Sequence, residues 1–491
     1  MSATISDVKT SNRWLILVIA CLAQFMVVLD ATIVNVALPS IQRGLHFSPA
    51  NLPWVVNAYT LVFGGFLLLG GRASDLLGRK RLFMAGIALF SAASLFNGLA
   101  QSSTMLIVGR GMQGLGGALL SPAALSIITT TFTDTRERTR ALAVWSAIAA
   151  GGGAVGLILG GVLTELVSWQ WIFFVNVPVG IGALLATARF VPESRVNMAH
   201  RTFDVLGAIS VTSGLVILVF AIIKAQAWGW GSGRTIGLLA ISAAILALFV
   251  LIERRSRAPL MRLSIFRVRT LAVADAVLLL VASGLFGMFF FASLYVQEVL
   301  GYSPLKAGLA FLPVTVGIVI GAGIAQALFR RVGVLRLALI GVTLGAAGLA
   351  VLTQLPVHGS YLANLMSGLF PMSVGMGLVF VPITLLGTGG VQGEDAGLAS
   401  GLFNTSQQVG GSLGLAILST LAASQTASLL SSSHASPTSA LGLPALVSGY
   451  HVAFAAAAGM LALGGVIMAL ALRPRHIRAI EGELTPVPVG A

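Results

Sequence analysis

Charge is what this 491-residue chain has least of: 9% of its residues are Asp, Glu, Lys or Arg and 57% are hydrophobic, where a soluble domain carries about a quarter charged residues. So few charges cannot cover a water-facing surface, so lipid must be the solvent for most of the chain. Cysteine is nearly absent. The single Cys21, inside an apolar run, excludes a disulfide framework, a thiolate zinc site and a haem attachment. Metal-ligand spacings, a Ser/His pair and a glycine-rich phosphate loop with its Lys are all missing. An enzyme is therefore not expected, nor is a metal or cofactor. The formal charge of +14 does not point to nucleic acid, because the basic residues are strung along short loops and form no arm or patch. The opening MSATISDVKTSNR leads straight into an apolar stretch without a small-residue cleavage site, so that stretch is read as a retained span.

Apolar runs are present in abundance, many close to the roughly 20 residues that cross a bilayer as a helix. Fourteen can be placed, to within about three residues, at 14–38, 52–71, 82–100, 104–128, 141–165, 169–190, 205–224, 234–252, 271–295, 304–328, 334–355, 362–386, 400–423 and 447–472. The fold class is therefore an all-α integral membrane protein. The loops test the count. An even number of spans puts both termini on one side, and that side holds 24 Lys and Arg against 4 on the other (Arg43, Lys224, Arg234 and Lys306), with Arg110 inside a span. One miscounted span would swap the later loops and erase the contrast, so both termini are expected to be cytoplasmic. The longest cytoplasmic linker, 253–270, is Arg-rich; the longest outer loop, 424–446, is Ser-rich and uncharged, which predicts a mobile segment.

A faint repeat divides the chain. GRASDLLGRKR after the second span is echoed by FRRVGVLR about 255 residues later, and GLGGALLSPAAL by GMGLVFVPITLL at nearly the same offset. That offset fits six spans plus an inserted pair. The expected organisation is a cytoplasmic tail 1–13, a six-helix bundle 14–190, an inserted pair 205–252, the linker 253–270, a second six-helix bundle 271–472 and a cytoplasmic tail 473–491. A substrate site in such an architecture is expected near the midplane, between the bundles.

Ionisable groups inside a bilayer are costly and are functional candidates by default. Asp30 and Arg110 fall at similar depths on the first and fourth spans and can pair if those spans touch. Burial disfavours a carboxylate and a neighbouring guanidinium favours it, so making and breaking the pair would couple proton uptake to conformation. The bland alternative is a static ion pair that fixes helix packing. Glu165 and Asp275 lie near span ends, where interfacial solvation is an adequate account. All six histidines lie in loops or near span ends, which leaves no imidazole relay or metal cluster across the membrane. Asn35, Asn57, Gln113, Asn404, Gln407 and Gln408 either line a substrate path or hydrogen-bond between helices; the last three share a face by their spacing. Trp54, Tyr59, Trp145, Phe289, Phe290 and Phe291 either form a greasy pocket or face lipid and its interface. Gly152, Gly156 and Gly160 make a smooth face along the fifth span that another backbone can approach.

Several of these stretches resemble the major facilitator superfamily, specifically its fourteen-span drug:proton antiporters of the EmrB/QacA type. GRASDLLGRKR is similar to the cytoplasmic motif between spans 2 and 3, with Gly71, Asp75, Gly78, Arg79 and Lys80 in register. LDATIVNVALP, containing Asp30, resembles the span-1 motif of these exporters. LIVGRGMQGLGGA resembles the span-4 motif with Arg110, Gln113 and Gly114, and GLILGG, from Gly156 to Gly161, the antiporter motif of span 5. WQWIFFVNVPVG, YVQEVLGYSPLKAGLAFLP and GLASGLFNTSQQVGGSLG are also typical of the group. The resemblance implies two six-helix bundles plus two inserted helices, a cytoplasmic gate at Asp75 and Arg79, proton coupling through Asp30 and Arg110, and leak control by the Gly152, Gly156, Gly160 and Gly161 helix. It departs at Leu157, where the family usually has Pro; without Pro the helix keeps a hydrogen bond and is less kinked. The second-half copy of the gate, Arg330 to Gly333, is degenerate.

The expected function is proton-coupled efflux of amphipathic, drug-like small molecules or antibiotics by alternating access, powered by the proton gradient, from a monomer in the cell membrane. With a single buried acid on the expected path, neutral or singly charged substrates are favoured over multivalent cations. The alternatives are a narrow exporter or uniporter of one endogenous metabolite, and a transporter-like membrane sensor or scaffold.

Overall fold

The computed structural model describes residues 10–194, 204–256, 259–389, 391, 395–433, 436 and 439–473. Fourteen of its helices are long and apolar enough to cross a membrane: α1 Arg13–Gly44, α2 Trp54–Leu77, α3 Arg79–Gly98, α4 Ser103–Thr131, α5 Arg136–Leu166, α6 Trp171–Phe190, α7 Val205–Trp228, α8 Gly233–Arg255, α9 Arg269–Val299, α10 Pro304–Val332, α11 Val334–Gln354, α12 Tyr361–Thr388, α13 Gly397–Ser432 and α14 Gly442–Ala471. No strand forms among the described residues. Side-chain caps set several starts. The Ser102 side chain accepts from Met105 N, that of Asp134 from Arg136 N and Glu137 N, and that of Ser232 from Thr235 N, each satisfying helix donors that have no intrahelical partner.

Several helices are longer than the apolar runs. α1 continues through Pro39 to Gly44. α13 continues to Ser432, so the loop expected at 424–446 is helical over most of its length, and α14 already begins at Gly442. The segment 424–432 is Ser-rich, without Pro or Gly; nothing in it stops a helix even though it is too polar to register as a span. The earlier start of α14 also moves His451 into a helix interior, where Nε2 is hydrogen-bonded to Leu355 O at 2.7 Å. Most of the terminal tails lies outside the described residues, as do Lys9, Arg195, Arg201, Arg257, Arg475 and Arg478 of the basic loops, and His200, His434 and His476.

The chain forms two compact units. Unit 1 comprises Met1–Phe47, Trp54–Ile209 and Pro304–Leu309. In it α4 packs on α1, α2 and α3; α1 packs on α5 and α6; and α3 packs on α6. Glycine makes the α4 contacts close. A methyl at Gly114 would strike the Tyr59 carbonyl of α2, and one at Gly116 the Phe90 backbone of α3. Close backbone approach of this kind is how helices associate where lipid removes the hydrophobic drive.

Unit 2 comprises Ser48–Pro53, Ser210–Ser303 and Ala310–Ala491. Its six pairings α12 on α9, α10 and α11, α9 on α13 and α14, and α11 on α14 are those of unit 1 with every helix number raised by eight. The pair α7 and α8, expected as a free-standing insert, falls with this unit from Ser210 onward: Ser242 of α8 donates to Gly214 O of α7 at 2.8 Å, and Thr420 of α13 donates to Ile222 O of α7 at 3.1 Å. The Arg-rich linker is partly ordered as a short turn, Leu263–Arg267. Its Ile265 packs with Leu271, Ala399 and Leu402.

Candidate functional site

Unit 1 buries an ion pair at its centre. Asp30 of α1 and Arg110 of α4 are 0% and 1% exposed, and Arg110 Nη1 donates to Asp30 Oδ2 at 2.5 Å. Around them lies a dense polar network. Gln113, one turn along α4, donates from Nε2 to Asp30 Oδ1 at 2.6 Å and to Ser94 Oγ of α3 at 2.8 Å. Its Oε1 accepts from Arg110 Nη1 at 2.7 Å and from Asn97 Nδ2 of α3 at 2.9 Å. Asn176 of α6 donates to Asp30 Oδ1 at 3.2 Å, and Arg110 Nε donates to Val55 O of α2 at 2.9 Å. The guanidinium also lies over two aromatic faces, Tyr59 of α2 at 4.4 Å and Phe173 of α6 at 5.8 Å, an arrangement that stabilises a cation independently of its carboxylate. Helices α1, α2, α3, α4 and α6 therefore meet in one polar network.

Local sequence explains the placement. Gly109 lets α3 approach α4 beside Asn97, and Gly114 lets α2 approach beside Tyr59, so the polar side chains of α4 reach both neighbours. On the other side, the glycines of α5 seat the helix that carries the acid. Gly152 lies against Val28 and Phe25 of α1, Gly156 against Thr32 and the Leu29 carbonyl, and Gly160 against Ile33. Gly161 faces Pro304 and Leu305 instead. The helix Thr135–Leu166 runs without interruption through Leu157.

A second cluster lies between α2 and α3. Asp75 Oδ1 accepts from Arg79 Nη2 at 2.9 Å and from Nε at 3.2 Å. The break between the two helices is made at Gly78, with φ 111°. The residues after it dock on the end of α6: Arg79 N donates to Ser194 O at 2.9 Å, Lys80 Nζ to Ala188 O at 2.8 Å and Lys80 N to Glu193 Oε1 at 3.2 Å. Arg81 pairs with Glu193 at 3.6 Å. Gly71 rests against Pro122 of α4.

Of the polar residues expected to line a substrate path or to hydrogen-bond between helices, Asn35, Asn57 and Gln113 lie in unit 1 and Asn404, Gln407 and Gln408 in unit 2. Gln113 belongs to the Asp30 network. Asn57 is fully buried on α2, and neither its Oδ1 nor its Nδ2 has a hydrogen-bond partner. Asn35 donates to the Ala31 carbonyl of its own helix, and Asn404, exposed on α13, donates to its own Ser400 carbonyl. Gln407 and Gln408 are half-buried on the same helix in unit 2. Tyr59, read on sequence as either part of a greasy pocket or facing lipid and its interface, is 2% exposed beneath Arg110, where a ring face stabilises a guanidinium off the water phase. Asp275 is 5% exposed, so interfacial solvation does not account for it, whereas Glu165 is exposed and accepts from Leu305 N at 2.8 Å.

Sequence reasoning missed Ser94, Asn97, Asn176, Phe173 and Glu193. Asn176 and Phe173 sit in WQWIFFVNVPVG, where an asparagine in an otherwise apolar run was the available signal. Ser94 and Asn97, three apart on α3, could have been found the same way. Glu193 lies in a loop and carried no signal.

A family model described as Major Facilitator Superfamily matches residues 20–415. Among curated proteins, the chain is 40% identical over 459 residues to the puromycin resistance protein pur8 of Streptomyces alboniger, covering 93% of this chain and 90% of that protein. It is 41% identical over 421 residues to the cephamycin export protein CmcT of Amycolatopsis lactamdurans, covering 85% and 87%. Among solved structures, a bacterial homolog to the human lysosomal transporter Spinster, in its inward-facing and unoccupied conformation, aligns with a TM-score of 0.65 at 16% identity, covering 96% of this chain and 99% of that one.

Proposed function

The chain belongs to the major facilitator superfamily, and from that membership we propose that it exports amphipathic, drug-like small molecules in exchange for protons, with Asp30 as the coupling acid. It is a transporter and not an enzyme. The observation that carries the proton step is the Asp30–Arg110 pair, 0% and 1% exposed. Removing one partner of a buried pair costs about 3–5 kcal/mol because the other charge is left uncompensated. Carrying a two-state equilibrium from about 1:99 to 99:1 takes about 5.5 kcal/mol. Protonation of Asp30 therefore changes the energy of this network by about the amount that reverses a conformational preference.

The network is built for that exchange. Neutral Asp30 loses its hold on Arg110, while Arg110 keeps Gln113 Oε1, the Val55 carbonyl and the faces of Tyr59 and Phe173. The cation remains held in unit 1 after the proton arrives. α1, seated on the glycine face of α5, is the helix released from its polar tether. The Asp75–Arg79 turn serves as the gate, alternating access supplies the transport cycle, and the protein works as a monomer in the cell membrane with both termini cytoplasmic. Relatives named for puromycin resistance and cephamycin export support an antibiotic-like substrate.

The test is export from energised inverted vesicles against a panel that includes puromycin and cephamycin. Asp30→Asn should abolish uptake driven by a pH gradient, to background, while the protein stays folded. Undiminished proton-driven uptake by that variant overturns the coupling role. A second reading, a uniporter or narrow exporter of one metabolite, draws on Leu157, which stands where the antiporter motif has Pro and leaves α5 unbroken. Transport of a single compound, indifferent to the pH gradient in the unmodified protein, would establish it.

A further inference from the structure

Of the buried acids outside the coupling mechanism, Asp204 and Glu253 accept from the backbone N–H of Gly207 and Met261, and Asp275 is left. Asp275 lies in the second turn of α9, 5% exposed, and neither carboxyl oxygen accepts a conventional hydrogen bond. It sits in a close seam of unit 2, that between α9 and α13. Along α9 and α13 the contacts repeat every four residues: Leu271 packs with Ala399 and Leu402, Gly410 lies on the backbone of Leu279, and Gly414 lies on Ser283, whose hydroxyl donates to Gly410 O at 2.8 Å. Asp275 occupies the missing step of that series, with the Ser406 side chain of α13 beside it. The neighbouring Ala274 lies beside Gly387 of α12 and Phe403 of α13, and Val277 lies beside Gly464 of α14.

No cation compensates it. On α9 the other ionisable groups are Arg269, whose Nε donates to Ala471 O at 2.7 Å, and Tyr295 and Glu298 at the far end, where Glu298 accepts from Tyr450 at 3.1 Å. α12 offers only Tyr361 at its first residue, and α13 offers none. α14 offers Tyr450 and His451, His451 being bonded to Leu355 O. The turn before α9 brings Arg267, and Arg262 ahead of it is held by Asp395 at 3.4 Å. Among the described residues, none of these basic groups makes an ion pair with Asp275.

An isolated carboxylate buried without a partner is too costly to persist; such groups are found paired, or neutralised. We propose that Asp275 is a second proton-exchange site. It holds a proton while the α9–α13 seam is closed, and when the seam parts its O–H bond breaks, the proton passes to water and the carboxylate becomes hydrated. The transport consequence rests on the proton-driven reading above; the site itself is tested without transport.

The experiment is infrared spectroscopy of the full chain in proteoliposomes, reading the stretch of protonated carboxyl groups in light and heavy water. A protonated-acid band is expected that Asp275→Asn removes, Asp30→Asn leaves in place, and heavy water shifts. Ser406→Ala should move the band without removing it, which tests the assignment even if the first variant folds poorly. Absence of the band from the unmodified protein at neutral pH, its persistence in a folded Asp275→Asn variant, or its failure to shift in heavy water would overturn the proposal. Loss of coupling is read separately, from transport by Asp30→Asn, so the two readings can fail independently.

Discussion

Asp30 on α1 and Asp275 on α9 stand on counterpart helices of units 1 and 2, yet Asp30 is tied to Arg110, Gln113 and Asn176 and Asp275 accepts no conventional hydrogen bond. The helix pairings around them are the same. What differs is the lining. Unit 1 gathers polar side chains from α1, α3, α4 and α6 at its centre. In unit 2, Phe291 of α9 instead packs on Tyr450 and Phe454 of α14, at ring separations of 5.6 and 6.2 Å, and α12 carries no charged residue. One packing plan thus supports an electrostatic centre in one unit and an aromatic one in the other. The glycines that bring backbones together set the plan, and the residues between them set the chemistry.

The sharpest break in that contrast is to strand one charge. Arg110→Met should lower stability by about 3–5 kcal/mol, because Asp30 would be left buried without its cation. Combining it with Asp30→Asn should recover most of the loss, since no charge is then left unpaired. In unit 2, Asp275→Asn should change stability little, there being no ion pair to break. Chemical unfolding of the three variants and the unmodified protein in one detergent compares them directly. Equal losses from Arg110→Met and Asp275→Asn would erase the distinction between the two acids.

A smaller effect is expected where the units are alike. Gly78 and Gly333 open α3 and α11 with φ of 111° and 88°, a region that costs other residues about 1–3 kcal/mol. Alanine at either position should lower stability by that amount. Gly78→Ala should be the worse of the two among variants of this turn, because its methyl would also meet the Glu193 carboxylate. Thermal unfolding measures both, and a neutral Gly333→Ala would show that the second turn is not under the same constraint.

Much of this was legible in the sequence, for identifiable reasons. Span number follows from apolar length, and the positions of Asp30 and Arg110 follow from the cost of burying charge. The repeat was visible because both units need the same turn, so Gly78 and Gly333 recur at a fixed offset. The ends of α1 and α13 were not legible, because hydrophobicity marks where lipid ends and not where a helix ends. Nor were the hydrogen-bond partners of the polar span residues: such a residue can bond its own helix, as Asn35 and Asn404 do, or join a network, as Gln113 does, and composition does not distinguish these. Asp275 was read as interfacial from its closeness to a span end; the packing of α13 over α9 is long-range information that no local window holds.

The smallest effect on stability falls on the gate, and there it is the mismatch with transport that decides. Asp75 and Arg79 make a local pair across one helix break, with the Asp75 side chain 36% exposed. Arg79 is 13% exposed, and a local pair that still reaches solvent contributes about 1 kcal/mol or less. Asp75→Asn turns the end of α2 into something closer to the end of α10, where Phe329, Arg330, Arg331 and Val332 precede Gly333 and the same positive-φ turn forms with no acid. The variant should therefore fold as the unmodified protein does. If the pair is a gate, transport should fall several-fold while unfolding shifts by less than about 1 kcal/mol, because the charge is used only when the turn changes partners. A transport rate that falls no further than the amount of folded protein would make Asp75 a helix-end ornament of the turn and leave gating to other residues.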